Sequence, residues 1–302
     1  MKKIIVTITL VFLSLHLQAE EKYIITSDGV KLYVNVKGTG TPCLYIHGGP
    51  GSGSYWVEKF FGDFLESKYT MIYLDQRGVG RSSGDHDQDY SLDRMAMDFE
   101  EVRKALGYDA WLTLGHSFGG VLQMGYVERY PESTKGMIMV NCTLNLTESF
   151  CESWSPKASE FTGIIDNSPC DSPKDITSKL WNHVNNLREK DLFWKMGFSV
   201  KENEKMLDAT YNEIPNWNGS FSNLAFGIEE FWQDFKVKTS TVEVPVLFFY
   251  GTKDWMVGPN HYKGINFPNQ MLWKYEGGHI PFMENKEELQ QAILAFSTTN
   301  DF

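Results

Sequence analysis

The chain has 302 residues, 42% of them hydrophobic and 14% aromatic, with a formal net charge of −11. This length and apolar content support one large domain with an ample core, or a core carrying an inserted subdomain. The acidity argues against a nucleic-acid partner, which needs a basic face, and otherwise favours solubility with a bias toward cationic ligands.

Residues 1–19 have the pattern of a secretory signal peptide: Lys2 and Lys3, a mostly apolar run over 4–17, and a small residue, Ala19, at the cut. The run is too short and too interrupted for a comfortable membrane span, so no stable span is expected after cleavage. An uncleaved anchor or a buried first strand is the plainer alternative. The expectation is an exported protein, periplasmic or secreted. Of the four cysteines, Cys43 lies in an apolar run and reads as a buried thiol, while Cys151 and Cys170 share one loop-rich region and are the preferred disulfide pair, with free thiols as the alternative. None has metal-ligand spacing, and neither a metal nor another cofactor is expected.

Residues 22–26 and 31–36 read as a β-hairpin around Ser27-Asp28-Gly29. A strand over 43–46 ends in His47-Gly48-Gly49-Pro50-Gly51, whose tight turn favours a cis Gly49–Pro50 bond. A helix over 55–65 follows, then a strand over 70–74 ending in DQRGVGRS. Ser91 caps a helix whose apolar face is Leu92, Met95, Phe99, Val102 and Leu106. Residues 111–114 form a strand, Gly115-His116-Ser117-Phe118-Gly119 a turn, and the apolar run to Tyr130 a helix. Residues 136–140 are a further strand. From 144 to 242 the rhythm breaks into a tryptophan-rich, mostly helical stretch, with helices expected over 179–192 and 224–235. Strands return over 246–250 and 271–275, and an amphipathic helix over 286–296 closes the chain. The organisation expected is a core of residues 20–143 and 243–302 with a helical cap, 144–242, inserted in it. Strands alternating with helices imply a mainly parallel sheet covered on both faces.

A serine centred in G-x-S-x-G between a strand and a helix is the nucleophile elbow of an α/β hydrolase, and Ser117 holds that place. Its hydroxyl needs a base, and the base a carboxylate to fix its tautomer. His279 and Asp254 both follow core strands at their carboxyl ends, where reacting groups gather in such sheets, and the chain order Ser117, Asp254, His279 fits. His47 and His116 adjoin the turns and suit packing roles better. The oxyanion donors expected are the N–H groups of Phe118 and Gly49.

Together HGGPG, DQRGVGRS and GHSFGG resemble the proline iminopeptidase family of α/β hydrolases, over roughly residues 22–143 and 243–298. The resemblance implies a serine aminopeptidase that releases an N-terminal residue, often proline, from short peptides, with Ser117, Asp254 and His279 as its triad. Asp75, Arg77 and Arg81 would brace loops. Family members hold the substrate's amino end with cap carboxylates, and Leu224 to Glu229 resembles the corresponding segment, which puts Glu229 at substrate binding; a solvated glutamate on an amphipathic helix is the alternative. Phe118 replaces the family's tryptophan, and Trp255 stands where some relatives place a second acid. A carboxylesterase or lipase-type enzyme with the same triad is the other functional reading.

Overall fold

The computed structural model describes residues 20–302, so the expected signal peptide lies outside them. The strands are β1 (Glu20–Ile25), β2 (Lys31–Lys37), β3 (Thr41–Ile46), β4 (Tyr69–Leu74), β5 (Trp111–His116), β6 (Thr134–Val140), β7 (Val246–Gly251) and β8 (Gln270–Tyr275). They form one sheet in the order β1-β2-β4-β3-β5-β6-β7-β8. The β1–β2 and β2–β4 pairs are antiparallel, and every later pair is parallel. The chain steps outward from β3 to β4 and then returns to the other side of β3 with β5. The loops after β3 and β5 therefore flank a crevice, the usual place for a ligand in such a sheet.

Helices α1 (Tyr55–Glu66), α2 (Leu92–Ala105) and α3 (Gly119–Arg129) connect the first strands. The Ser91 hydroxyl caps α2 by accepting from the Arg94 N–H at 3.2 Å. Between β6 and β7 lie α4 (Leu146–Glu148), a π-turn over Ser149–Trp154, α5 (Ser155–Thr162), α6 (Pro173–Glu189), α7 (Lys201–Glu213) and α8 (Ser220–Leu224). After β8 come α9 (Pro281–Glu284) and α10 (Lys286–Asn300). The central strands are buried on both faces. Leu44, Ile72, Met137 and Phe248 pack toward α2 and α3; Tyr45, Tyr73, Ile138 and Phe249 pack toward α1 and α10. Each such side chain contributes about 1.5–3 kcal/mol of burial.

The inserted segment departs most from expectation. Helix α6 starts at Pro173, because the Ser172 hydroxyl caps it (Asp175 N–H at 3.2 Å) and proline fits the first turn. Helix α7 has no counterpart among the expected elements. The helix expected over 224–235 is instead the end of α8 followed by single 3-10 turns, Ala225–Gly227 and Glu229–Trp232, with Ile228 extended between them. Gly227 weakens a helix there, and burial of Phe231 against Phe118, with ring centroids 5.2 Å apart, is gained by turning the chain. Cys151 and Cys170 are disulfide-bonded, and Cys43 and Cys142 are buried thiols.

Candidate active site

Ser117 stands at the end of β5 with φ +56°, a conformation rare for any residue with a side chain. The bend is held by its neighbours: the Ser117 N–H donates to the Val140 carbonyl (3.3 Å), and its carbonyl accepts from the Thr143 N–H (3.0 Å). Glycine at 119 lets α3 lie against β3, because a Cβ there would sit 2.3 Å from the Ile46 oxygen. The outcome is a half-buried serine on a fixed backbone.

Asp254 lies three residues beyond β7, and His279 follows β8; both are almost fully buried. His279 Nδ1 is 2.9 Å from Asp254 Oδ2. The carboxylate beside Nδ1 keeps the proton there and leaves Nε2 free to accept one. The other carboxylate oxygen, Oδ1, accepts the N–H groups of Met256 (3.0 Å) and Val257 (3.1 Å), which orients the group. His279 is held by its backbone as well. Its N–H donates to the Gly197 carbonyl of the insertion at 3.0 Å, and its carbonyl accepts from His116 Nε2 at 2.9 Å. Burial, then the neighbouring His279, hold the His116 imidazole well below its usual range, so it is a neutral donor with its ring centroid 4.6 Å from that of His279.

The loop after β3 carries the cis Gly49–Pro50 bond. Gly48 touches the elbow: a Cβ on it would lie 2.7 Å from the Ser117 Cβ. Among the described residues, neither the Gly49 nor the Phe118 N–H is paired with another protein acceptor. The DQRGVGRS segment braces this loop. The Gln76 N–H donates to His47 Nε2 (3.1 Å) and the Gln76 amide to the His47 carbonyl (3.0 Å). Burial brings the His47 imidazole down to about 4, so it stays neutral and can accept. Asp75 accepts from the Ser54 hydroxyl (2.7 Å) and from Arg81 Nε (2.7 Å). Arg77 donates to Asp98 (2.6 Å) and Asp28 (2.9 Å).

Two hollows meet at Ser117, and Gly49 borders both. The larger, about 470 Å³, is lined by Trp56, His279, Glu204, Asp208 and Tyr211 among others. The smaller, about 50 Å³, is walled by Leu146, Phe150, Trp154, Phe226 and Met256. Trp232 backs it through Phe150 and Phe226, whereas Trp217 packs on Tyr211. Glu229 is not in either. It is exposed and borders a separate surface hollow with Gln88, Tyr90 and Glu230, because the 3-10 turn that buries Phe231 directs it outward. The acids lining the cavity are Glu204 and Asp208, one turn apart on α7, and Asp191, with Arg188 as a cation beside them; Asp191 pairs with Lys201, whereas neither Glu204 nor Asp208 makes an ion pair among the described residues. Burial, then Asp208, raise the Glu204 carboxyl above its usual range; burial raises Asp208. The sequence signals for this helix include the acids Glu202 and Glu204 in its first turn.

The model of the α/β-hydrolase fold matches residues 41–286. The chain belongs to the α/β-hydrolase fold family. It is 32% identical over 123 residues to the proline iminopeptidase of Neisseria gonorrhoeae, a match spanning 39% of this hydrolase and 38% of that protein. It is 26% identical over 292 residues to the AB hydrolase superfamily protein YclE of Bacillus subtilis, covering 88% and 95%. Among solved structures, a proline iminopeptidase-related protein from Thermus thermophilus has a TM-score of 0.75 at 22% identity, covering 93% of this hydrolase and 98% of that chain. An esterase from Exiguobacterium antarcticum has a TM-score of 0.70 at 20% identity, covering 92% and 100%. At these identities the structural likenesses speak for the fold alone.

Proposed function

We propose that this hydrolase is a serine aminopeptidase, removing a small apolar N-terminal residue (proline or another) from short peptides through an acyl-enzyme. The observation that carries the reading is the Asp254–His279 hydrogen bond set in the same cavity as a serine held at φ +56°. Ser117 Oγ attacks the first peptide carbonyl as His279 Nε2 takes its proton, and Asp254 stabilises the imidazolium. The N–H groups of Gly49 and Phe118 receive the oxyanion. His279 protonates the departing amine, and water, activated by the same imidazole, releases the acyl group.

Glu204 and Asp208 support an amine-bearing substrate: two carboxylates without an ion pair of their own, in a cavity that Asp191 and Arg188 also line, can take an ammonium. The small aromatic-walled hollow has room for a few heavy atoms of a side chain. Residues 1–19 support export, and the Cys151–Cys170 disulfide suits an oxidising compartment. The esterase reading keeps the triad and draws on the same apolar hollow, which suits a short acyl chain equally well. Alanine and proline naphthylamides, their N-acetylated forms and p-nitrophenyl esters, assayed together, separate the two readings. Cleavage of free but not acetylated aminoacyl amides supports the peptidase; ester cleavage alone rejects it.

A further inference from the structure

The nucleophile, acid and base stand on three different strand ends, so something must hold those ends in register. Asn141 directly follows β6, the strand that lies between β5, which leads into Ser117, and β7, which leads into Asp254. It is 2% exposed and has φ +47°, a left-handed conformation that asparagine tolerates better than most residues. Its side chain faces the other two arms. Oδ1 accepts the Gly251 N–H (2.9 Å) at the end of the acid-bearing strand. Nδ2 lies within donating distance of the carbonyls of Gly278 (2.9 Å) and His279 (3.1 Å) and of the Tyr275 hydroxyl (2.8 Å). Gly251 is a donor, so the amide oxygen must face it, which settles the orientation of the group.

The backbone around the same residue serves the nucleophile. Val140 accepts the Ser117 N–H, and the Thr143 N–H donates to the Ser117 carbonyl. Asn141 itself donates its N–H to the Phe249 carbonyl at 2.8 Å. The acid and base segments are also in direct contact beside it: a Cβ on Gly251 would lie 2.5 Å from the Gly277 oxygen and 2.9 Å from the Gly278 oxygen. Asn141 bridges that seam.

We propose that Asn141 is a positioning residue that fixes the His279 turn against the Asp254-bearing strand and so sets the His279–Asp254 hydrogen bond; this rests on the triad reading above. The residue type follows from the contacts. One end of the side chain must accept and the other must donate to two carbonyls. Aspartate satisfies the first demand and sets oxygen against oxygen at the second.

The test compares Asn141→Asp, which keeps the acceptor for Gly251 and loses the donor to the His279 turn, with Asn141→Ala, which loses both. Steady-state kinetics with p-nitrophenyl acetate, the rate of fluorophosphonate labelling and the low-field proton resonance of the His279 Nδ1–H are recorded with Tm. The expected result is a kcat lower by about 100-fold with KM little changed, labelling slowed in parallel, and a shifted or broadened low-field line. Tyr275→Phe removes only one partner of Nδ2, should slow kcat by a few-fold, and remains informative if either Asn141 variant fails to fold. A lowered Tm with kcat and the low-field line of the folded protein unchanged overturns the proposal. Failure of the wild type to label, with activity surviving Ser117→Ala, overturns the serine-hydrolase reading instead; the resonance comparison still decides the role of Asn141.

Discussion

The carboxyl ends of the strands and the insertion above them line the same cavity by opposite means. At the strand ends, three polar side chains are oriented by several partners apiece: Asp254 by two N–H groups and His279, Asp75 by Ser54 and Arg81, Asn141 by four atoms. The insertion contributes aromatic edges, Arg188, the Lys201-paired Asp191 and two carboxylates without ion partners among the described residues. Groups that must act together within a few tenths of an ångström are over-determined. Groups that only have to fit a substrate are held by packing and are open to change without loss of the chemistry. Substitutions in the first region should therefore act on kcat or on folding, and those in the second on KM and substrate choice.

The largest effect expected is from Ser117→Ala, with loss of roughly 10⁴-fold or more in kcat and no change in Tm beyond the ordinary scatter; Asp254→Asn should approach it by leaving His279 in the wrong tautomer. Titration of active sites with a fluorophosphonate checks both. Next is Asp75→Asn, which leaves the Arg81 guanidinium without its buried partner and should cost about 3–5 kcal/mol in urea unfolding. An Asp75→Asn protein as stable as wild type would break the distinction from the side of the core.

Glu204→Gln and Asp208→Asn should each raise KM for aminoacyl amides about tenfold and leave kcat and the turnover of p-nitrophenyl acetate unaffected. The pH dependence has a definite sign. Protonation removes the attraction for an ammonium, and both carboxyls are raised, so KM for free-amine substrates should climb as pH falls through a range above that of ordinary carboxylates. The ratio to p-nitrophenyl acetate, which carries no ammonium, isolates this effect, and it should flatten in the double variant. A kcat effect as large as the KM effect would put these acids with the core machinery. The smallest effect is from Phe226→Ala, which opens the small hollow and should shift preference toward longer side chains or acyl chains by a few-fold, read as relative kcat/KM across a chain-length series.

Much of the core could be read from spacing. Short apolar runs ending in glycine-rich or polar turns placed each strand of the sheet within two residues of where it lies. The elbow was legible because a strand, one serine and a helix are all local. Ser117, Asp254 and His279 were each identified by the strand they follow, and the structure brings them to one end of the sheet. Asn141 carries no such mark in the sequence: its four side-chain partners lie far along the chain, at Gly251 and between Tyr275 and His279, and nothing local announces them.

The insertion was far less legible, for a physical reason. Helix α7, KENEKMLDATYNE, carries little apolar face of its own. It is tied down by tertiary contacts, through Glu213 to Tyr55 (2.7 Å) and Lys59, and through Glu284 to the Ser199 N–H (2.9 Å) just before it. Glu229, by contrast, looked helical until the burial of Phe231 against Phe118 turned the chain and left the carboxylate in solvent. Local pattern alone determined the fold class and the chemistry-bearing turns, since those depend on periodicity and on the conformations glycine permits. Which acids enter the cavity, and what holds the three strand ends together, depended on contacts between distant segments, which only the folded chain could decide.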